Sequence, residues 1–273
     1  MREFFKGDAL KQIIETKAHR LKPLIKFGVS IDEMKEKIAE YEKKKLFFNF
    51  KKKIINNIQN NKFSIVAEIK KKSPSSGELI KGDYDPVKIA KIYNENKATC
   101  LSVLTEEDNF GGDIHHIKFI KEQGIKLPVL CKDFFINRWQ LYLAKSHGAD
   151  AILIILAGIG VKLADELYEE ALKLNLSVII EVHTIEEAEY ALKFKDALIG
   201  INNRNLKTLK TNINTTYEIN RHLTHHASPL ISESGIKTKE DLLEINKKTK
   251  IKTFLIGESL LKNFDKNPIF SVL

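Results

Sequence analysis

The stretch IVAEIKKKSP, residues 65–74, starts as the apolar, β-branched run of a buried strand, yet carries Glu68 and Lys70 before it breaks at Ser73-Pro74. Side chains along a strand alternate between faces, so Glu68 and Lys70 point the same way. An acid and a base side by side on the face of a core strand require a polar cavity where that strand ends. Further runs of similar texture follow. With the first at 63–69, the candidate strands are 99–104, 128–132, 150–156, 177–182, 197–202, 229–232 and 253–257. Between them lie periodic stretches such as 161–174, with Val161, Leu163, Ala164, Leu167, Ala171, Leu172 and Leu174, and 185–194. Such spacing suits helices docked on a sheet.

Strands alternating with helices pair in parallel, because a parallel connection needs a crossover. Eight such units favour a closed (β/α)8 TIM barrel over an open doubly wound sheet of eight strands. The fold class is therefore α/β. Upstream, Leu10, Ile13, Ile14, Ala18 and Leu21 form one apolar helical stripe. Ser30 followed by Glu33 has capping-box spacing and begins a second helix containing Met34, Ile38 and Tyr41. The expected organisation is a helical extension, 1–62, packed on a barrel, 63–273, as a single domain. SPSSGELIKGDYDP, 73–86, is a loop long enough to expect a function for it.

Composition narrows the classes. An apolar fraction of 43% in 273 residues is enough for a full core. The formal charge of +9, from 45 Lys and Arg against 36 Asp and Glu, favours anionic partners in general. The lysines are interleaved with glutamate, as in EKIAEYEKKK, 36–45, and the run Lys51-Lys52-Lys53 has no recognition motif around it. Nucleic acid is thus not expected as a partner. Cys100 and Cys131 sit inside apolar runs and cannot form a disulfide framework, which fits the cytoplasm. Neither a signal-peptide core nor a run of membrane-spanning length is present, so no membrane association is expected.

In a barrel the chemistry gathers at the C-terminal ends of the strands. Here the first strand ends with Glu68 and Lys70, the third with Lys132, the fifth carries Glu181, and the sixth ends on Asn202 with Arg204 just beyond. The seventh run leads into Glu233, Ser234 and Gly235, and the eighth into Gly257, Glu258 and Ser259. Taken singly, each charge reads as a solvated strand end. Glu181 does not, since Ile180 and Val182 flank it and an unpaired buried carboxylate is costly. Lysines and glutamates converging on one mouth can divide acid and base roles near neutral pH. Glycine turns and a helix start at Thr238 after the last two strands make a phosphate site. AGIGVKL lacks the third glycine of a dinucleotide fingerprint. The pairs His115-His116 and His225-His226 diverge by about 100° on a helix and are expected at the surface. Neither a metal nor a cofactor is expected.

These residues carry a resemblance. AEIKKKSPS (67–75), LTEEDNFGG (104–112), PVLCKDF (128–134), IIEVH (179–183), IGINNRNL (199–206), SESGI (232–236) and LIGESLL (255–261) together resemble the indole-3-glycerol phosphate synthase family of tryptophan biosynthesis. The resemblance implies extra helices that cap the active-site end, with Lys132 as general acid and Glu181 as base for the dehydration. It further implies that Lys70 holds a substrate anion, that Glu68 orients substrate and lysines, and that Asn202 and Ser73 contact substrate. Phe110, Leu104 and Phe134 match an apolar wall for the anthranilate ring. Ser234, Gly235, Gly257 and Glu258 would give backbone donors to phosphate, with Arg204 and Glu233 also on the substrate side. The implied partner is a small phosphorylated anthranilate-ribulose molecule, bound by a monomer that associates at most weakly with pathway enzymes. Three departures stand out: a loop around Glu78 one residue longer than the usual form, Asp113 in place of a small hydroxyl residue, and Cys131 in place of a basic one. Three other readings compete: a phosphate-binding barrel in which Lys132 forms a Schiff base, a basic nucleic-acid-binding protein, and, weakest, an inactive barrel kept as an interaction module.

Overall fold

In the computed structural model, which describes residues 8–74, 77–80, 82–262 and 267–273, the eight apolar runs pair edge to edge until the last meets the first. The strands are β1 (Ser64–Ile69), β2 (Cys100–Leu104), β3 (Val129–Lys132), β4 (Ala151–Ile155), β5 (Ser177–Val182), β6 (Leu198–Asn202), β7 (Leu230–Glu233) and β8 (Thr253–Ile256). Every neighbouring pair is parallel, and β1 closes on β8 with Ser64 opposite Thr253 and Ala67 opposite Ile256. The boundaries agree with the sequence reading to within a residue or so. One difference matters: Glu233 is the last residue of β7 rather than the first beyond it.

Strand alternation sorts the core into two. Ile65, Ala67 and Ile69 face outward into the large cluster shared with the helices, while Val66 faces inward with Cys100, Leu130, Ala151, Leu153, Ile179, Leu198, Ile231 and Leu255. The crossovers carry α4 (Pro86–Glu95), α5 (His115–Glu122), α6 (Arg138–Ser146), α7 (Val161–Lys173), α8 (Ile185–Ala191), α9 (Asn214–Asn220) and α10 (Lys239–Thr249). Their starts follow local chemistry. Asp85 caps α4 ahead of Pro86, and Thr238 and Asp241 form a reciprocal capping box at α10. Among the described residues no helix is long and apolar enough to cross a membrane.

The extension forms α1 (Asp8–Phe27), α2 (Ile31–Lys43) and α3 (Phe50–Gln59). Ser30 and Glu33 make the expected capping box, and Met34, Ile38 and Tyr41 are buried. The resemblance implied that these helices cap the active-site end, but they divide between the two ends. Leu10 and Ile13 of α1 overhang the C-terminal mouth, whereas α3 plugs the opposite end with Phe50 and Ile54 against the inward cluster. The physical reason is the short apolar set on α3, which fits the floor of the barrel and is tied there by strand starts. Lys51 N donates to Ser177 Oγ, and Asn57 Nδ2 donates to Phe63 O and Thr99 Oγ1. Of the long loop after β1, Lys72–Ser73 pairs antiparallel with Gly77–Glu78; Ser75, Ser76 and Lys81 lie outside the described residues.

The floor also holds a fully buried ion pair. Lys121 Nζ lies 2.5 Å from Asp150 Oδ2 and donates to Leu46 O at 3.1 Å, with the Phe48 ring 4.4 Å from the ammonium. Asp150 in turn accepts from Phe48 N and Val129 N, so the segment between α2 and α3 is stapled to β3 and β4. Burial lowers the pKa of Lys121 and raises that of Asp150, and each partner resists that shift in the other. Removing one partner strands the other. Lys121→Met is expected to lose about 3–5 kcal/mol of stability in urea denaturation, with the mouth at the far end of the barrel little altered.

Candidate active site

The inward face of β1 delivers Glu68, and Lys70 follows just past the strand end, its Nζ 2.5 Å from Glu68 Oε1. Beside them runs β8, where Gly257 follows Ile256; a Cβ there would fall within contact distance of both Glu68 Oε1 and Lys70 Nζ. The resemblance makes Gly257 a phosphate contact, and the structure gives it a second task, which is to leave room for this pair. Gly200 on β6 does the same for another carboxylate, since a Cβ would collide with Glu233 Oε1.

Across the mouth, Lys132 at the end of β3 reaches two carboxylates from other strands. Its Nζ is 3.0 Å from Glu233 Oε2 and 3.4 Å from Glu181 Oε2. Burial would lower the pKa of Lys132, but Glu233, Glu181 and Glu68 outweigh it and hold the amine charged well above the usual lysine range. Glu181 and Glu233 share this one ammonium unequally. Burial would raise the pKa of Glu181, yet Lys132, His183 and the Asn202 side chain bring it below the usual carboxylate range. For Glu233 burial prevails, reinforced by repulsion from Glu181 and opposed by Lys132, so its pKa is raised. The site thus combines a fixed ammonium, a carboxylate and a carboxyl that gains a proton readily.

These groups open into a cavity of about 790 Å³. Leu104, Phe110 and Phe134 line one side, joined by Leu153, Ile155 and by Leu10 and Ile13 from α1. The Phe110 and Phe134 rings stand 6.3 Å apart between centroids. The opposite side is formed by Ser234, Gly235, Gly257, Glu258 and Ser259, with Arg204, Lys210, Lys237 and Lys262 around them. Ser73, Lys70, Glu68, Lys132, Glu181 and Asn202 also line the cavity. Glu233 does not. It is 1% exposed and lies beneath the wall as the partner of Lys132, because a residue inside β7 is a layer deeper than one beyond it.

Other expectations need correcting in detail. At the α10 start, where an anion site was expected, Asp241 Oδ2 accepts from Lys237 N and Thr238 N, so those two donors are taken. Only one histidine of each adjacent pair is exposed: His116 packs edge-on to Tyr84, and His226 Nε2 meets Ala197 O at 3.0 Å. Cys100 and Cys131 are buried as expected. Among the described residues no group of three or more His, Cys, Asp or Glu is placed to hold a metal ion.

The sequence reading passed over three residues. Asn203, 1% exposed, accepts from Thr216 N and Thr216 Oγ1 and donates to Ser234 O, pinning the turn in which Ser234 and Gly235 adopt φ of 66° and 76°. That left-handed geometry is strained for a serine, and the Asn203 clamp holds it. His183 lies with its Nε2 3.3 Å from Glu181 Oε1 and its Nδ1 3.5 Å from Glu187 Oε2. The ring thus sits between two carboxylates that both favour its charged form. Its position two residues after Glu181 was the available signal. Lys17 on α1 is the third, paired with Asp133 beside Lys132.

The chain is similar to known proteins. The family model for indole-3-glycerol phosphate synthase matches residues 10–271. The chain is 42% identical over 217 residues to the indole-3-glycerol phosphate synthase of Thermoanaerobacter pseudethanolicus, covering 80% of each. It is 40% identical over 240 residues to that of Clostridium acetobutylicum, covering 88% of this chain and 87% of the relative. Among solved structures it is similar to the tryptophan synthase alpha subunit of Legionella pneumophila, with a TM-score of 0.58 at 15% identity over 82% of this chain and 94% of that one, a likeness of fold alone.

Two tests follow from the site's construction. Gly257→Ala is expected to displace the Glu68–Lys70 pair and lower turnover far more than stability, read by kinetics alongside urea denaturation. For His183, burial would lower the pKa, but Glu181 and Glu187 outweigh it and raise it to about 9. Its stabilising contribution is therefore complete below about pH 6.5 and is lost as pH rises through about 9. The gap in urea midpoint between wild type and His183→Asn is expected to be widest near pH 6 and to close by about pH 10.

Proposed function

Since the chain belongs to the indole-3-glycerol phosphate synthase family, we propose how its own residues perform the reaction of that name, a carbon–carbon lyase step of tryptophan biosynthesis. The substrate, 1-(2-carboxyphenylamino)-1-deoxy-D-ribulose 5-phosphate, closes to indole-3-glycerol phosphate with loss of carbon dioxide and water. Its anthranilate ring packs against Leu104, Phe110 and Phe134. Its phosphate meets the backbone of Ser234, Gly235, Gly257 and Glu258, with Arg204 adding positive charge nearby. Lys70 pairs with the ring carboxylate, and Glu68, Ser73 and Asn202 fix the ribulose arm between the two anchors. A cavity of about 790 Å³ lies within the range for a molecule of this size.

The Lys132 ammonium donates a proton to the ribulose carbonyl oxygen as the ring carbon bearing the carboxylate attacks the carbonyl carbon. The carbon–carbon bond to the carboxylate then breaks, carbon dioxide leaves, and its electron pair restores the aromatic ring. In the last step Glu181 takes a proton from the methylene carbon beside nitrogen while the new hydroxyl leaves as water, protonated by a lysine of the site. Glu233 holds Lys132 in place between the two proton transfers.

What carries this reading is the charge on Lys132, 3.0 Å from one carboxylate and 3.4 Å from another. A proton donor needs that ammonium. A Schiff-base lysine needs a neutral amine, which the same two carboxylates disfavour. Free, buried cysteines support a reducing, cytoplasmic setting.

The test is a fluorescence assay for indole-3-glycerol phosphate with EDTA present. Wild type is expected to turn over, and Lys132→Ala and Glu181→Gln each to lose about 10²–10⁴-fold in kcat. Borohydride trapping of substrate on Lys132, or full activity in Lys132→Ala, would reject these roles.

A further inference from the structure

Lys17 is an unusual residue for an accessory helix. It is 5% exposed, and its ammonium lies 2.7 Å from Asp133 Oδ1, 2.9 Å from Asp133 Oδ2 and 3.5 Å from Glu107 Oε2. Burial works against the charge, but Asp133 and Glu107 outweigh it. Asp133 stands between Lys132 and Phe134. Its carboxylate also accepts from Thr105 Oγ1 at 2.8 Å and from Phe134 N at 2.7 Å, so one side chain gathers the ends of β2 and β3 and presents them to α1. Arg20, one turn further along and partly exposed, pairs with Asp108 and Glu107.

The other end of the same helix completes the cavity. Leu10 and Ile13 line it, and Leu10 and Ile14 lie against Gly158 just past β4. Asp133 lines the main cavity on one side and, on the other, the small cleft that holds Lys17. Apolar contacts would hold α1 down with little preference for register. A buried ion pair adds little net stability over an apolar pair, but it fixes direction and register.

We infer that Lys17 is a positioning residue for the reaction: its ion pair with Asp133 seats α1 as the roof of the cavity and fixes the backbone that carries Lys132 and Phe134. The inference rests on the function proposed above. Substrate affinity then depends on a side chain that belongs to the extension and lies outside the cavity it serves.

Lys17→Met and Lys17→Arg test it, read by hydrogen exchange across residues 10–27, by steady-state kinetics and by urea denaturation. In Lys17→Met the amides of α1 are expected to exchange about tenfold faster or more, and KM to rise about tenfold with a smaller fall in kcat. Lys17→Arg, which keeps the charge, is expected to recover most of the affinity. Should Lys17→Met fail to fold, Lys17→Gln is read in the same way. Unchanged KM in a folded variant, whether or not α1 loosens, would overturn the inference while leaving the reaction intact. Absence of turnover in the wild type would overturn the reaction, and the inference with it.

Discussion

Opposite charges buried together at one end of a barrel must satisfy each other, and much of this molecule is arranged around that demand. Glu68 with Lys70, and Lys132 with Glu181 and Glu233, come from the ends of four strands and share one desolvated mouth. None of them would remain ionised there alone. Their neighbours are chosen accordingly. Gly200 and Gly257 yield the volume that the carboxylates occupy, and His183 supplies positive charge behind Glu181. The opposite end needs no reactive groups, so it is closed by apolar side chains from α3 and by one self-contained ion pair, Lys121 with Asp150. Stability and reactivity are thus separated along the barrel axis.

Most of the architecture was legible in the sequence because it depends on patterns that are local. Alternation along Ile65–Ile69 and the 3.6-residue spacing of 161–174 are set by which face must be buried, and burial acts residue by residue. The capping box at Ser30 and the helix start at Thr238 were legible for the same reason. The convergence of Glu68, Lys70, Lys132 and Glu181 could be anticipated because a barrel turns sequence position into spatial proximity.

What escaped the sequence reading was set by partners distant in the chain. Nothing near Lys17 signals that it will meet Asp133, 116 residues away, and Lys121 gives no sign of Asp150. Gly200 reads as a weak point in a strand until Glu233 is seen against it. The split of the extension between the two ends was hidden for a related reason, since α1 and α3 are both amphipathic and only the surface each one meets tells them apart. Glu233 was misjudged by a single position, and one residue along a strand is the difference between lining a cavity and supporting it.

The closure of β1 on β8 bears on how the chain acquires its structure during synthesis. The first strand has one edge that finds β2 within some thirty residues, but its other edge waits for Thr253–Ile256, made almost at the end. Until then that edge of β1 has no partner and the barrel cannot close. During that wait α3, already made, can lie across the unfinished floor with Phe50 and Ile54 over exposed apolar side chains, and its bonds to Ser177 and Thr99 form as those residues emerge. A segment that plugs the finished barrel can in this way shield the growing one from its neighbours on the ribosome.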